Sequence, residues 1–94
     1  MTHRIYLIQS EYIKTATHLL SLKDIAEPSD PIILMGDAVL HIHSPLLAMF
    51  ENVYIIKTDQ PLVAHLPCPK NVEIIDYDHF AELVIHTKQC IRMN

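Results

Sequence analysis

Few residues of this 94-residue chain have types and spacings that could do chemistry. The two cysteines, Cys68 and Cys90, are the sulfur nucleophiles to weigh. Cys68 stands between Pro67 and Pro69, with Lys70 two residues on. It is the one candidate catalytic residue, since a reactive thiol needs an electropositive setting. No base is placed beside it by the sequence, so an ordinary thiol is the plainer alternative. The pair has no metal-ligand spacing and makes no disulfide framework. Carboxylates gather where apolar runs end, at Gly36-Asp37, Thr58-Asp59 and Asp76-Tyr77-Asp78, alongside Gln9-Ser10. Asp37, Asp59 and Asp76 are therefore candidate ligands for a divalent metal, because hard cations take carboxylate oxygens. Helix capping uses the same residue at the same places and is the competing explanation. An acidic receiver-type pocket does not fit, because Gln9-Ser10 stand where it needs acids. A phosphate site does not fit either: carboxylates repel phosphate, and the chain has a single glycine. His41 and His43 would share one side of an extended segment but not of a helix. They have no further ligand close in sequence and are expected as surface or interface histidines. His79 and His86 would be about 10 Å apart along a helix, too far to share an ion.

These residues are spaced by a repeating pattern of apolar runs. In Pro31-Ile32-Ile33-Leu34-Met35-Gly36-Asp37-Ala38-Val39-Leu40 the run lacks alternation, as expected of a strand covered on both faces. Gly36 permits a sharp turn, and Asp37 is placed to cap the segment after it. Other strands are expected at His3 to Ile8, Val53-Tyr54-Ile55-Ile56 and Val72-Glu73-Ile74-Ile75. A helix is predicted from a Ser10 cap to about Lys23, with Ile13, Ala16, Leu19, Leu20 and Lys23 as its stripe. Ser44-Pro45 is a cap-plus-first-turn pair opening a short helix to Phe50. Thr58 or Asp59 is expected to cap a helix around Leu62 to His65. Asp78 is expected to cap the last helix, whose stripe is Phe80, Leu83, Val84 and Thr87. Residues from Cys90 to Asn94 read as a tail. Connections this short between parallel strands must cross over, right-handed. The expected fold is a small three-layer α/β/α domain with a mostly parallel sheet of four or five strands, forming one domain over residues 1–94. Strand order cannot be read from the pattern. Ligands of such sheets collect at the carboxyl ends of the strands, where the carboxylates lie.

Composition narrows the function classes. Half of the residues are hydrophobic, yet a chain this short buries only about 60–65% of its unfolded surface. Part of the apolar area is therefore expected to be covered by another subunit. Lys and Arg total seven, never clustered, and the formal net charge is −4. Direct nucleic-acid binding shows a basic stripe, and none is present. No run approaches membrane-spanning length, and the N-terminal apolar stretch is too short for a signal peptide, so a cytoplasmic location is expected.

Four segments together resemble the DsrH/TusB family of sulfur-relay proteins: Ile32-Ile33-Leu34-Met35-Gly36-Asp37-Ala38-Val39, Val53-Tyr54-Ile55-Ile56, Leu62-Val63-Ala64-His65, and Ile75-Asp76-Tyr77-Asp78-His79-Phe80-Ala81-Glu82-Leu83. The resemblance implies a DsrE/F/H-like fold and a place in a heterohexamer with TusC-like and TusD-like proteins. Such an assembly takes persulfide sulfur from carrier proteins and delivers it to the wobble uridine of tRNA or, in the DsrH branch, to sulfur-compound oxidation. The reactive cysteine of the relay follows the third strand of the TusD-like partner; here that position holds Thr58-Asp59. Some DsrH-like chains carry a cysteine on the first helix, and Tyr12 to Lys23 has none. The resemblance thus implies a non-catalytic structural subunit of a sulfurtransferase complex, closer to the TusB branch. No cofactor is expected, and the composition leaves neither direct nucleic-acid contact nor a membrane to expect. A stand-alone or homo-oligomeric persulfide carrier using Cys68 is the alternative.

Overall fold

The computed structural model describes residues 4–63 and 67–94. Two expectations lie partly outside the described residues: the start of the first strand at His3, and the end of the short helix expected to reach His65. Five strands form one sheet: β1 (Arg4–Ile8), β2 (Ile32–Leu34), β3 (Val53–Ile56), β4 (Val72–Ile75) and β5 (Gln89–Met93). Their order is β4-β3-β2-β1-β5, and every neighbouring pair is parallel. The α/β expectation holds, with a fifth strand where a tail was expected. The segment from Cys90 to Asn94 is no tail: residues 89–93 pair along all of β1, Ile5 with Cys90 and Ile8 with Met93. The residues alternate as a half-covered strand must, with Ile91 and Met93 toward the larger core and Cys90 and Arg92 toward the other face.

The two faces are covered unequally. One carries α1 (Tyr12–Ile25) and three short 3-10 helices, Gly36–His41, Pro45–Leu47 and Lys57–Leu62. Its core joins Tyr6, Ile8, Leu34, Val53 and Ile55 of the sheet to Leu19, Leu22, Val39 and Phe50. The other face has α2 (Tyr77–Ile85), whose Phe80 and Leu83 lie over Ile33, Ile56 and Ile75. The crossovers between β2 and β4 are thus 3-10 turns rather than α-helices. The 3-10 form closes each hydrogen bond over fewer residues, so it suits brief connections.

The buried side of α1 differs from the expected stripe. Thr15, Leu19 and Leu22 face inward, while Ile13 and Leu20 are 82% and 56% exposed and Ala16 is exposed. Thr15 can be buried because its hydroxyl donates to the Glu11 carbonyl at 2.9 Å and lies 2.7 Å from the Ser10 hydroxyl. Ser10 is therefore engaged with Thr15 rather than capping; Glu11 holds the cap position without a side-chain bond. At α2 the cap is Asp76, not Asp78: its Oδ1 accepts the His79 N–H at 2.8 Å. Ser44 does cap, accepting the Leu46 N–H at 3.2 Å ahead of Pro45.

The accessible surface is 5700 Å², close to the roughly 5,500 Å² that scaling gives a compact monomer of this mass. The apolar surplus therefore shows in what the surface is made of. Tyr12, Ile13, Leu20, Leu40, Leu62, Tyr77 and Ile85 all stand in solvent.

Candidate functional site

The carboxyl ends of the strands bring the acidic residues to one edge, as expected, where Asp59 and Asp76 are engaged within the fold and Asp37 is not. Gly36 follows β2 with φ +61°, a left-handed conformation that a residue with a Cβ adopts at a cost. That turn directs the Gly36 N–H at Asp59, whose Oδ2 accepts it at 3.1 Å. Asp59 thus ties the turn after β2 to the 3-10 helix after β3. Thr58 and Asp59 lie inside that helix, with Ile56 at its cap position. Asp37 is exposed in the first turn of its own 3-10 helix; the cap position is Met35, with no side-chain bond. Asp76 caps α2. Among the described residues, no three His, Cys, Asp or Glu side chains converge where they could hold a metal ion.

What the edge does assemble is a row of aromatic and polar side chains. The Tyr12 ring at the start of α1 stacks on His41, centroids 4.2 Å apart at 23°. His41 Nε2 lies 2.8 Å from the Tyr12 carbonyl oxygen, locking the start of α1 to the end of the first 3-10 helix. On the other side of the edge, the Thr58 and Tyr77 hydroxyls are 3.4 Å apart. Leu40 and Leu62 are exposed apolar residues of the same helical connections. An edge of this kind suits protein contact: rings with polar tips and isolated leucines, set among carboxylates of which Asp59 and Asp76 are already bonded within the fold. Sequence reasoning passed over Tyr12 and Tyr77. Their signal was position, each being the first residue of a helix that follows a strand. His43 is exposed on the loop after His41 and does not join the stack.

The cysteines are elsewhere. Cys68 lies in the connection entering β4, at the amino edge of the sheet. Its thiol is exposed and donates to the Val72 carbonyl at 3.4 Å. Cys90 is exposed on β5. One tyrosine has a displaced titration. Tyr54, on β3 beneath α2, is held above the ordinary phenol range by partial burial and, secondarily, by the charge of Glu73 on β4. His79 meets its ring edge-on at 6.1 Å.

Comparisons with known proteins agree with this architecture. A family model described as "DsrH like protein" matches residues 14–90. Among solved structures, the crystal structure of the YchN protein from E. coli superposes with a TM-score of 0.71, covering 99% of this chain and 100% of that one. Their sequence identity is 14%, so the likeness is one of fold. No curated protein sequence matches the chain. Among the described residues, no helix is long and apolar enough to cross a membrane.

Proposed function

We propose that this chain, which belongs to the DsrH-like family, is a non-catalytic structural subunit of a sulfur-relay complex. The proposed assembly holds it with TusC-like and TusD-like subunits, receives persulfide sulfur from carrier proteins, and serves 2-thiolation of the tRNA wobble uridine. The observation that carries this reading is the separation of thiols from the functional edge. Cys68 lies at the amino edge and Cys90 on an outer strand, while the carboxyl edge holds Tyr12, His41, Thr58 and Tyr77 and no cysteine. A sulfur acceptor needs a thiol that its donor can reach at a site able to stabilise thiolate. The stretch after β3 offers Thr58 and Asp59 instead. The exposed tyrosines and leucines of the edge, with the outward Ile13 and Leu20 of α1, are surfaces that sister subunits would cover.

The test is persulfide transfer by the co-expressed complex carrying Cys68→Ala and Cys90→Ala together. Transfer to the downstream acceptor is expected to proceed at the wild-type rate. Loss of transfer, with one added sulfur atom on Cys68 of the wild-type chain after exposure to a cysteine desulfurase, would establish the persulfide carrier instead.

A further inference from the structure

β5 is an open edge. β1 fills one side of it, and among the described residues no strand fills the other. Proteins usually blunt such an edge with proline, a bulge, or clustered charge. Gln89-Cys90-Ile91-Arg92-Met93 has no proline and one charge, and it pairs with β1 without interruption. We propose that β5 pairs antiparallel with β5 of a second copy of this chain about a two-fold axis, setting Cys90 opposite the second copy's Arg92. This goes beyond the sulfur-relay reading and does not depend on it.

The occupant and the register follow from the backbone. The Met93 carbonyl accepts from the Gln9 N–H at 3.0 Å, so Met93 turns its peptide groups toward β1. Alternate residues do the same, which leaves the N–H and C=O of Cys90 and Arg92 pointing out of the sheet. Three antiparallel registers bring these groups together. Cys90 opposite Cys90 also sets Arg92 against Lys88. Arg92 opposite Arg92 sets like charges directly across. Cys90 opposite Arg92 opposes no like charges, overlaps all five residues and puts Ile91 across from Ile91 on the axis. Like charges across a strand pair are destabilising, so the last register is selected. A second copy also satisfies closure. Two β5 edges form an isologous, self-terminating contact, whereas joining β5 to the other edge strand, β4, is heterologous and terminates only if the rotation happens to close a ring.

The experiment uses the Cys68→Ala chain, so that Cys90 is the sole thiol, in whatever complex it forms on expression. In the selected register the two Cys90 residues are diagonal, about 7–8 Å apart. A short bismaleimide should therefore join two copies into one covalent homodimer, while a direct disulfide forms poorly. Sedimentation then tests the charge pairing. Cys90→Lys places a cation against Arg92 twice per dimer and should weaken association at least several-fold. Cys90→Glu places a carboxylate there and should tighten it several-fold. Circular dichroism should match the parent for both, because residue 90 is exposed. Cross-linking of Cys90 to a different polypeptide, a single copy per particle at every concentration, or equal shifts from Lys and Glu would each overturn the proposal. So would open-ended polymers.

Discussion

Replacing Gly36 by alanine isolates one backbone term. A Cβ at this position would meet nothing within 4 Å, so no packing or steric contribution enters. What remains is the conformation, φ +61°. Holding an L-residue there costs about 1–2 kcal/mol. The substitution also removes freedom from the unfolded chain, which offsets about 0.4–1 kcal/mol. The net expected loss is about 0–1.6 kcal/mol, centred near ~0.8 kcal/mol, where it lowers Tm by roughly 3–6 °C for a domain of this size. Urea denaturation should show a lower midpoint with an unchanged slope, because the surface exposed on unfolding is the same. Gly36→Asn should cost less than alanine, since asparagine visits this region more readily. A loss above about 3 kcal/mol would mean that the turn is crowded rather than merely left-handed. An Asp59→Ala change that costs stability in the glycine chain but none in the alanine chain would mean that the turn relaxes, giving up the bond from the Gly36 N–H to Asp59.

Other outcomes can be checked by the same denaturation measurements. Asp76→Ala removes the cap of α2 and should cost about 0.5–2 kcal/mol, with asparagine restoring most of it. The Asn71 amide donates to the Leu47 and Phe50 carbonyls, both at 2.9 Å. Asn71→Ala orphans the Phe50 carbonyl, while the Leu47 carbonyl keeps the Phe50 N–H at 3.1 Å, and should cost about 1–3 kcal/mol; aspartate should do no better because its oxygens cannot donate. Leu19→Ala empties a fully packed position beneath α1 and should cost about 2–5 kcal/mol. Tyr54 loses its proton later in the fold than in the unfolded chain. Its contribution is therefore complete below the ordinary phenol pKa of 10.0 and declines as pH rises from there through the elevated folded value. Alkaline titration of stability should show this decline, Tyr54→Phe should remove it, and a flat wild-type profile would contradict it.

Much of the architecture was legible because parallel strands covered on both faces write themselves as unbroken apolar runs. Ile32-Ile33-Leu34 and Val53-Tyr54-Ile55-Ile56 are two of them. The strand beginning at Gln89 was not legible as one, since covering falls on one side only and leaves a weak alternation in five residues. The inward side of α1 was misjudged for a related reason. Its apolar residues surround the helix, and the buried arc is completed by Thr15, a polar residue whose hydroxyl finds partners in Ser10 and Glu11. Aspartates at strand ends were correctly placed on one edge, yet spacing could not tell Asp76 from Asp78 as the cap. Nor could it show that Asp59 reaches across to Gly36, twenty-three residues away. The Tyr12–His41 stack is likewise a product of tertiary approach, with no local signature.

The pairing of β1 with β5 joins the described segments farthest apart along the chain. Local pieces can condense early, but closing so wide a loop is slow, and long-range parallel pairing is a late event in folding. Until it happens, Ile5-Tyr6-Leu7-Ile8 offers a ready template to any strand that drifts past. The vulnerable moment of this protein's life is therefore the interval before these two strands meet, and whatever shortens that interval would raise its yield in the cell.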